Sequence, residues 1–196
     1  MAAATIVNVG YRSTHYWVIS AGRSRLLVDL GWPGTMGMMR ANLQRMDIPL
    51  PELRYALATH YHIDHAGLAQ DLKNVGVPLL VLDVQVQAIT LMGRWVKPHE
   101  RFTEITLHDN VVISCAESRA LLRQIGIDGE ILPTPGHSDD SASLLLDNGA
   151  AFIGDLTWPE AIGAEDADVV RASWRLLRER GAKVIYPGHG PVREMV

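Results

Sequence analysis

The sequence predicts a layered α/β or α+β fold with an internal sheet region. Short runs rich in β-branched and aromatic residues alternate with stretches of helical periodicity. Several of the strand-like runs follow one another directly, which indicates sheets with adjacent strand pairs as well as helical layers. The 196 residues show no linker or low-complexity tract, so we expect a single domain over residues 1–196 with one proper core.

The N-terminal part predicts three consecutive strands followed by a helix. The strands are TIVNV (5–9), HYWVIS (15–20) and SRLLVDL (24–30). Thr35 is a candidate N-cap for a helix that runs to about Met46, and prolines follow beyond its end.

The next part predicts two strands that alternate with helices. RYALA (54–58) is a short buried strand, and the helical stretch GLAQDLKNV (67–75) stops at Gly76. VPLLVL (77–82) is the following strand, and 84–95 is a weaker helix prediction.

The C-terminal part begins with a capped helix. Ser114 and Glu117 have the spacing of a capping box, so a helix is expected over 115–125 with Gly126 beyond its end. The remaining pattern predicts three strands, a helix and a last strand, at 130–132, 142–147, 150–155, 166–180 and 182–187.

Composition excludes several classes of protein. The net charge of −4 provides no broad basic surface, so no nucleic-acid partner is expected. Cys115 is the only cysteine, which excludes a disulfide framework and a cysteine-based zinc site. No signal peptide and no apolar run of membrane-spanning length is visible, so we expect a cytoplasmic protein without a membrane partner.

The stretch THYHIDHAG (59–67) concentrates residues that bind metals. His60 and His62 are two apart, so in an extended segment both imidazoles point to the same side. Asp64 and His65 follow where the chain turns into a helix and can reach a second ion. A run of surface histidines on a loop is the weaker alternative, because further histidine and aspartate residues follow in similar positions.

Those further residues come after apolar strands or beside Pro-Gly pairs. His137 lies in TPGHSDDS, Asp155 lies in FIGDL, and His189 lies in IYPGHG. Each taken alone is more often structural or solvated. Together with the cluster at 60–65 they form a set of seven donors held by rigid segments, as a preorganised metal site requires.

These motifs resemble the metallo-β-lactamase superfamily. THYHIDHAG, TPGHSDD, IGDL and PGHG occur in that family's order, and LLVDLG matches its early strand, so the resemblance covers about residues 5–190. It implies an α+β fold, the four-layer αββα sandwich. It also implies two groups of metal ligands: His60, His62 and His137 for one ion, Asp64, His65 and His189 for the other, and Asp155 as the bridge. Asp29 stands where the family has a buried acid, and we expect it to orient a ligand histidine.

The resemblance implies a metal-dependent hydrolase acting on a small-molecule substrate. Two divalent ions would lower the pKa of a shared water, and the bridging hydroxide would attack an ester, lactone, thioester or phosphodiester. Asp64 is expected to accept the proton and Asp155 to hold both ions, so both are candidate catalytic residues. Imidazole and carboxylate ligands suit Zn²⁺ best, and they also admit Mn²⁺ or Fe²⁺.

Differences between this sequence and particular members of the family narrow the choice of enzyme type. Classical zinc β-lactamases have a cysteine ligand where this chain has Asp155, so we expect a compact hydrolase of another kind. The alternative is a mononuclear-iron oxidoreductase of the persulfide dioxygenase type. That type carries an arginine-containing stretch after the Gly-Asp motif, and GDLTWPEAIG lacks it.

Candidate substrate-lining residues are Trp95, Trp158 and Tyr186. The segment 84–110 falls between two metal motifs and is a candidate lid, with Met92 and Phe102 among basic residues. Packing of this segment onto the core is the favoured alternative.

Overall fold

The computed structural model describes residues 4–97, 99–161, 163 and 167–195. They form two mixed β-sheets that pack face to face, with helices on their outer faces. The predicted four-layer αββα sandwich is confirmed.

The first sheet has six strands in sequence order, β1 to β6. They are Thr5–Asn8, Trp17–Ala21, Ser24–Val28, Leu53–Leu57, Leu79–Leu82 and Val111–Ile113. β1, β2 and β3 form an antiparallel meander, whereas β3 to β6 run parallel to one another. Parallel neighbours need crossover connections, and these supply helices of one outer layer.

The second sheet has five strands in the order β11, β10, β9, β8, β7. They are Gly129–Pro133 (β7), Ala142–Leu146 (β8), Ala150–Gly154 (β9), Val184–Pro187 (β10) and Arg193–Glu194 (β11). β9 and β10 are parallel, and the other pairs are antiparallel. β7, β9 and β10 therefore point the same way.

The helices are α1 to α6: Met36–Arg45, Ile63–Ala66, Ala69–Asn74, Val86–Met92, Cys115–Gln124 and Ala167–Glu179. The capping box at α5 is present, since Glu117 Oε2 accepts hydrogen bonds from the backbone N–H of Ser114 at 2.8 Å and from its hydroxyl at 2.7 Å. Thr35 occupies the N-cap position of α1 without a capping hydrogen bond, because its hydroxyl bonds to the carbonyl of Trp32 and to the hydroxyl of Tyr11.

Three apolar clusters account for the layering. One contains the outer face of the first sheet with residues of α1, α3 and α4, such as Leu43 and Leu72. The second lies between the sheets, is centred on Trp17 and Phe152, and also takes in Leu122 of α5. The third joins the second sheet to α6 through Trp174. Each side chain taken out of water in these clusters contributes about 1.5–3 kcal/mol.

Most predicted elements are present with ends shifted by one to three residues. The stretch 67–75 forms a shorter helix, α3, preceded by the separate short α2, and the 84–95 prediction resolves into α4 flanked by single 3-10 turns. The predicted helix start at 166 lies outside the described residues, and α6 is seen from Ala167. The edge strands β6 and β11 were not predicted, because two or three residues show too little alternation.

Across the described residues, no helix has both the length and the apolar character that spanning a membrane requires.

Candidate metal centre

The predicted donors meet at one edge of the sandwich. Parallel strands end at a common edge, and the segments that follow β3, β4, β7, β9 and β10 all reach this edge. The donors lie in those segments: Asp29 after β3, His60 to His65 after β4, His137 after β7, Asp155 after β9 and His189 after β10. All seven predicted ligands and Asp29 are therefore brought together.

His60, His62 and His137 form the first cluster. Their donor atoms lie within 4.8 Å of one another. His62 Nδ1 and His137 Nε2 are 3.0 Å apart. The ring centroid of His60 is 4.5 Å from that of His62 and 4.8 Å from that of His137. Three imidazoles at these separations can share one ion.

Asp64, His65 and His189 form the second cluster. Asp64 Oδ2 is 3.0 Å from His189 Nε2 and 3.5 Å from His65 Nε2. His65 is fully buried, whereas His189 and Asp64 are partly exposed. This cluster therefore has one buried donor and two donors that solvent can reach.

Asp155 lies between the two clusters. Its Oδ1 is 3.3 Å from His65 Nε2, and its Oδ2 is 3.5 Å from His189 Nε2. Oδ2 is also 3.8 Å from His137 Nε2, a member of the first cluster. One carboxylate therefore contacts donors of both groups.

Hydrogen bonds to Nδ1 orient three histidines so that their Nε2 atoms face the centre, where Nε2 of His189 lies 3.0 Å from Asp64 Oδ2. Thr59 Oγ1 donates to Asp29 and so accepts from His60 Nδ1 over 3.1 Å. His65 Nδ1 donates to Asp29 Oδ2 over 2.9 Å. His189 Nδ1 donates to the carbonyl of Ser13 over 2.6 Å. With Nδ1 protonated, Nε2 carries the lone pair that a metal needs.

Buried atoms without good hydrogen bonds show that this donor set fits metal ions. Within the described part of the chain, His60 Nε2, His65 Nε2 and Asp155 Oδ1 are buried and make no hydrogen bond of good geometry, although the last two lie 3.3 Å apart. Burying an unpaired polar atom costs about 1–3 kcal/mol. Three such atoms converging on one point, with imidazole and carboxylate chemistry, are what a divalent cation would satisfy.

Lowered pKa values favour the deprotonated form of three donors, His60, His137 and Asp155. Burial, together with the neighbouring histidines, holds the pKa of His60 well below its usual value, and burial also lowers that of His137. Burial would raise the pKa of Asp155, but its contacts with His65 lower it overall. For His65 burial would lower the pKa, but the carboxylates of Asp29 and Asp155 outweigh it and raise the pKa well above its usual value. A bound cation would take the place of that proton.

Asp29 forms hydrogen bonds that hold histidines of both clusters, through Thr59 for His60 and directly for His65. Its Oδ1 accepts hydrogen bonds from the backbone N–H of Thr59 at 2.8 Å and from the Thr59 hydroxyl at 2.9 Å, and its Oδ2 contacts His65. Asp29 is 1% exposed and has a left-handed backbone with φ of 63°. Such a conformation costs a non-glycine residue energy, so these contacts impose it.

Two supporting contacts come from residues that sequence reasoning missed. The Thr14 hydroxyl donates to Asp64 Oδ2 over 3.0 Å, and the carbonyl of Ser13 accepts from His189. Both residues lie in the loop between β1 and β2, far along the chain from the ligands. No local motif marks them, and only the folded arrangement brings them to the centre.

Gln85 is a further supporting residue that was not predicted from the sequence. It is fully buried, and its amide donates to the carbonyls of Ala58 at 3.0 Å, Thr59 at 3.3 Å and Asp140 at 3.2 Å. The Asp140 carboxylate in turn accepts from the backbone N–H of Tyr61 at 2.8 Å. Gln85 thus ties the segment carrying His60 and His62 to the segment that follows His137.

The candidate substrate-lining residues take different positions. Tyr186 packs between the sheets, with its ring centroid 4.9 Å from that of Phe152 and 5.1 Å from that of Trp17. Trp158 stacks against Trp174 at 5.3 Å in a cavity of about 300 Å³ on the outer side of the second sheet. Neither makes a hydrogen bond or ring contact with the seven donors among the described residues. The side chain of Trp95 lies outside what the structure describes.

The 84–110 segment packs largely onto the core. Met92 is 2% exposed and Phe102 is partly buried, and both contact the cluster on the outer face of the first sheet. This matches the favoured packing interpretation for Met92, whereas Trp95, the other residue of that interpretation, has its side chain outside what the structure describes.

Comparisons with known proteins agree with the geometry. The model of the metallo-β-lactamase superfamily matches residues 9–189. A probable metallo-hydrolase of Methanocaldococcus jannaschii is 28% identical over 93% of this chain and 90% of the relative. An atrochrysone carboxyl ACP thioesterase of Aspergillus fumigatus is 28% identical over 93% of this chain, which spans 52% of that relative.

Solved structures give the same fold. A mutant metallo-β-lactamase from Cronobacter sakazakii superposes with a TM-score of 0.74 at 18% identity, covering 97% of this chain and 81% of the other. The family match spans nearly the whole chain, including every donor from His60 to His189. The chain belongs to the metallo-β-lactamase superfamily.

Proposed function

We propose that the protein is a dinuclear-metal-dependent hydrolase of small molecules. The observation that carries this proposal is the set of seven converging donors, three of whose atoms are buried and make no hydrogen bond of good geometry in the described residues. His60, His62 and His137 would hold one ion, Asp64, His65 and His189 the other, and Asp155 would contact both. Zn²⁺ is the expected metal, with Mn²⁺ or Fe²⁺ as alternatives.

Two ions held there would supply Lewis acidity and a hydroxide nucleophile near neutral pH. Asp64 would receive the proton of the attacking water. Its Oδ2 is occupied by Thr14 and faces His65 and His189, whereas Oδ1 makes no hydrogen bond in the described part of the chain. Oδ1 is therefore the available proton acceptor.

Among esters, lactones, thioesters and phosphodiesters, we place thioesters first. Two fungal relatives are named as thioesterases of acyl carrier protein substrates, and this chain spans 52% and 50% of their lengths. A thioester needs a positioned nucleophile and stabilisation of the developing oxyanion, which this set of donors and ions would provide.

Metal analysis and a substrate panel test the proposal. Protein purified without added metal is analysed for bound metals and assayed on lactones, thioesters and phosphodiesters. Two ions per chain with hydrolysis support it, whereas one iron with oxygen uptake indicates the mononuclear oxidoreductase. A folded His60→Ala variant with unchanged metal content and activity would refute the assignment of His60 as a metal ligand.

A further inference from the structure

The loop between β1 and β2 connects the second cluster to the protein surface. Ser13 and Thr14 contact His189 and Asp64, as described above. The preceding residue, Arg12, is exposed and has a left-handed backbone with φ of 59°. Arginine rarely adopts this conformation, so the contacts of the loop impose it.

Contacts of residues 9–11 fix the loop before Arg12, and those of Ser13 and Thr14 fix it after Arg12. The Asn42 amide donates to the carbonyls of Val9 at 2.9 Å and Gly10 at 3.2 Å. The hydroxyls of Tyr11 and Thr35 are 2.6 Å apart and hydrogen-bonded. Arg12 is therefore presented on a rigid support next to the centre.

The Arg12 side chain lies over an aromatic ring and has no acidic partner. Its guanidinium carbon is 5.5 Å from the centre of the Trp32 ring. No carboxylate of the described residues lies within ion-pair distance of it. A guanidinium held over a ring by a cation–π contact still has N–H groups that can donate to an anion.

A second cation, Arg101, contacts the loop that follows β3. The Cβ of Arg101 is 2.9 Å from the position that a Cβ on Gly34 would occupy, so Arg101 contacts the turn that follows Trp32. Arg101 is exposed and, within the residues described, makes no ion pair. Arg12 and Arg101 thus contact the same turn, residues 32–34, on a chain whose net charge is −4.

We propose that Arg12, supported by Trp32, binds an anionic group of the substrate. This inference rests on the hydrolase function proposed above. The anion would be a carboxylate of the acyl chain or the phosphate of a phosphopantetheine thiol, since both offer oxygens to the guanidinium fork. Bound there, it would fix the thioester beside the Asp64 side of the centre.

Matched substrates test the charge dependence. Metal-loaded wild type and Arg12→Gln are assayed on pentanoyl and glutaryl thioesters of N-acetylcysteamine, and on pentanoyl thioesters of pantetheine and phosphopantetheine. Within each pair only one anionic group differs. We expect Arg12→Gln to lower kcat/KM about tenfold for the anionic member of one pair. The neutral members should change less than twofold.

Controls separate recognition from folding. Arg123 is exposed on α5, and Arg123→Gln removes the same charge there. Arg12→Lys keeps the charge without the planar fork and should fall between wild type and Arg12→Gln. Equal metal content and melting temperature show that each variant is intact. The substrate pair whose anionic member is slowed in Arg12→Gln identifies the bound anion as the carboxylate or the phosphate.

Equal effects on neutral and anionic members, or none, overturn the inference. If metal-loaded wild type hydrolyses no thioester, calorimetry with the glutaryl and pentanoyl amide analogues, and with phosphopantetheine, replaces the assay. Anion-dependent binding that Arg12→Gln weakens about tenfold then supports the inference while the proposed hydrolysis fails. Binding that does not depend on Arg12 overturns it.

Discussion

The Thr14 hydroxyl donates a hydrogen bond over 3.0 Å to Oδ2 of Asp64, fifty residues further along the chain. That oxygen also faces His65 at 3.5 Å and His189 at 3.0 Å. Thr14 is 1% exposed, so water does not compete for its hydroxyl. Thr14 therefore sets the orientation of a carboxylate that serves the second cluster.

Replacing Thr14 with valine should weaken the second ion selectively. Valine keeps the shape and loses the donor, so we expect about tenfold lower affinity for that ion, as for other residues that support metal ligands. Thr14→Ser retains the hydroxyl and is the matched control. Metal titration calorimetry reports both affinities, and two sites of wild-type affinity in Thr14→Val would refute the assignment.

Replacing Asp29 with asparagine should reverse the tautomer of His65. An amide donating to His65 Nδ1 would move the imidazole proton to Nε2, which faces the cluster. Asparagine tolerates the left-handed backbone of Asp29, so the fold should persist. We expect metal affinity to fall about 10–100-fold, measured as bound metal after dialysis.

Asp47→Asn is the control for that experiment. Asp47 also has a left-handed backbone, with φ of 52°, and it is exposed beyond α1. It should retain wild-type metal content. Retention of both ions by Asp29→Asn would show that the contact with His65 does not select the tautomer.

Replacing Gly188 with alanine should displace the ligands without straining the backbone of residue 188. A Cβ there would lie 2.5 Å from His65 Cε1 and 2.6 Å from Asp155 Oδ1. Neither buried group can move freely, so at least one ligand must shift, and we expect about tenfold lower metal affinity. Gly37→Ala, whose Cβ would meet no atom within 4 Å, provides the control. Equal metal content in both variants would contradict this expectation.

Replacing Gln85 with leucine should destabilise the fold as well as the centre. Three buried carbonyls would lose a donor, and the N–H of Leu82 would lose its acceptor at 3.1 Å. We expect the free energy of unfolding to fall by about 3 kcal/mol in chemical denaturation. Gln87→Leu, on the exposed side of α4, should change it little. A similar small change in the free energy of unfolding of both variants would show that Gln85 does not hold together the segments that carry His60 and Asp140.

Removing metal should lower the melting temperature. An ion that binds only the folded protein stabilises it by about 2.7 kcal/mol at a concentration one hundred times its dissociation constant. Chelator added to metal-loaded wild type should therefore lower the melting temperature by several degrees. His60→Ala should respond less, and an identical response in both proteins would argue against His60 as a ligand.

The layered fold and the positions of the donors were predictable because local patterns encode them. Apolar strands ending in histidine or aspartate mark the edge of a sheet, and the spacing of His60, His62 and His65 is a local signal. Gln85 and Thr14 carry no such signal. Their contacts span 55 and 50 residues, and only the tertiary arrangement creates them.

Side-chain direction in the strands was harder to predict than strand position. Tyr186 lies in β10, three residues before His189, and that proximity suggested a role at the centre. Strand alternation directs its ring between the sheets instead, where Phe152 and Trp17 surround it. Trp158 lies in the loop after β9, and its partners are Trp174 and Arg193, whose guanidinium lies 4.3 Å from its ring centre.

The donors are divided between the two halves of the sandwich. His60, His62, Asp64 and His65 follow a strand of the first sheet, and His137, Asp155 and His189 follow strands of the second. Neither sheet alone could hold both ions, so bound metal would act as a cross-link between them. Metal occupancy would then depend on how the two sheets pack against each other. Substitutions deep between the sheets, far from any donor, would be detectable first as faster metal release.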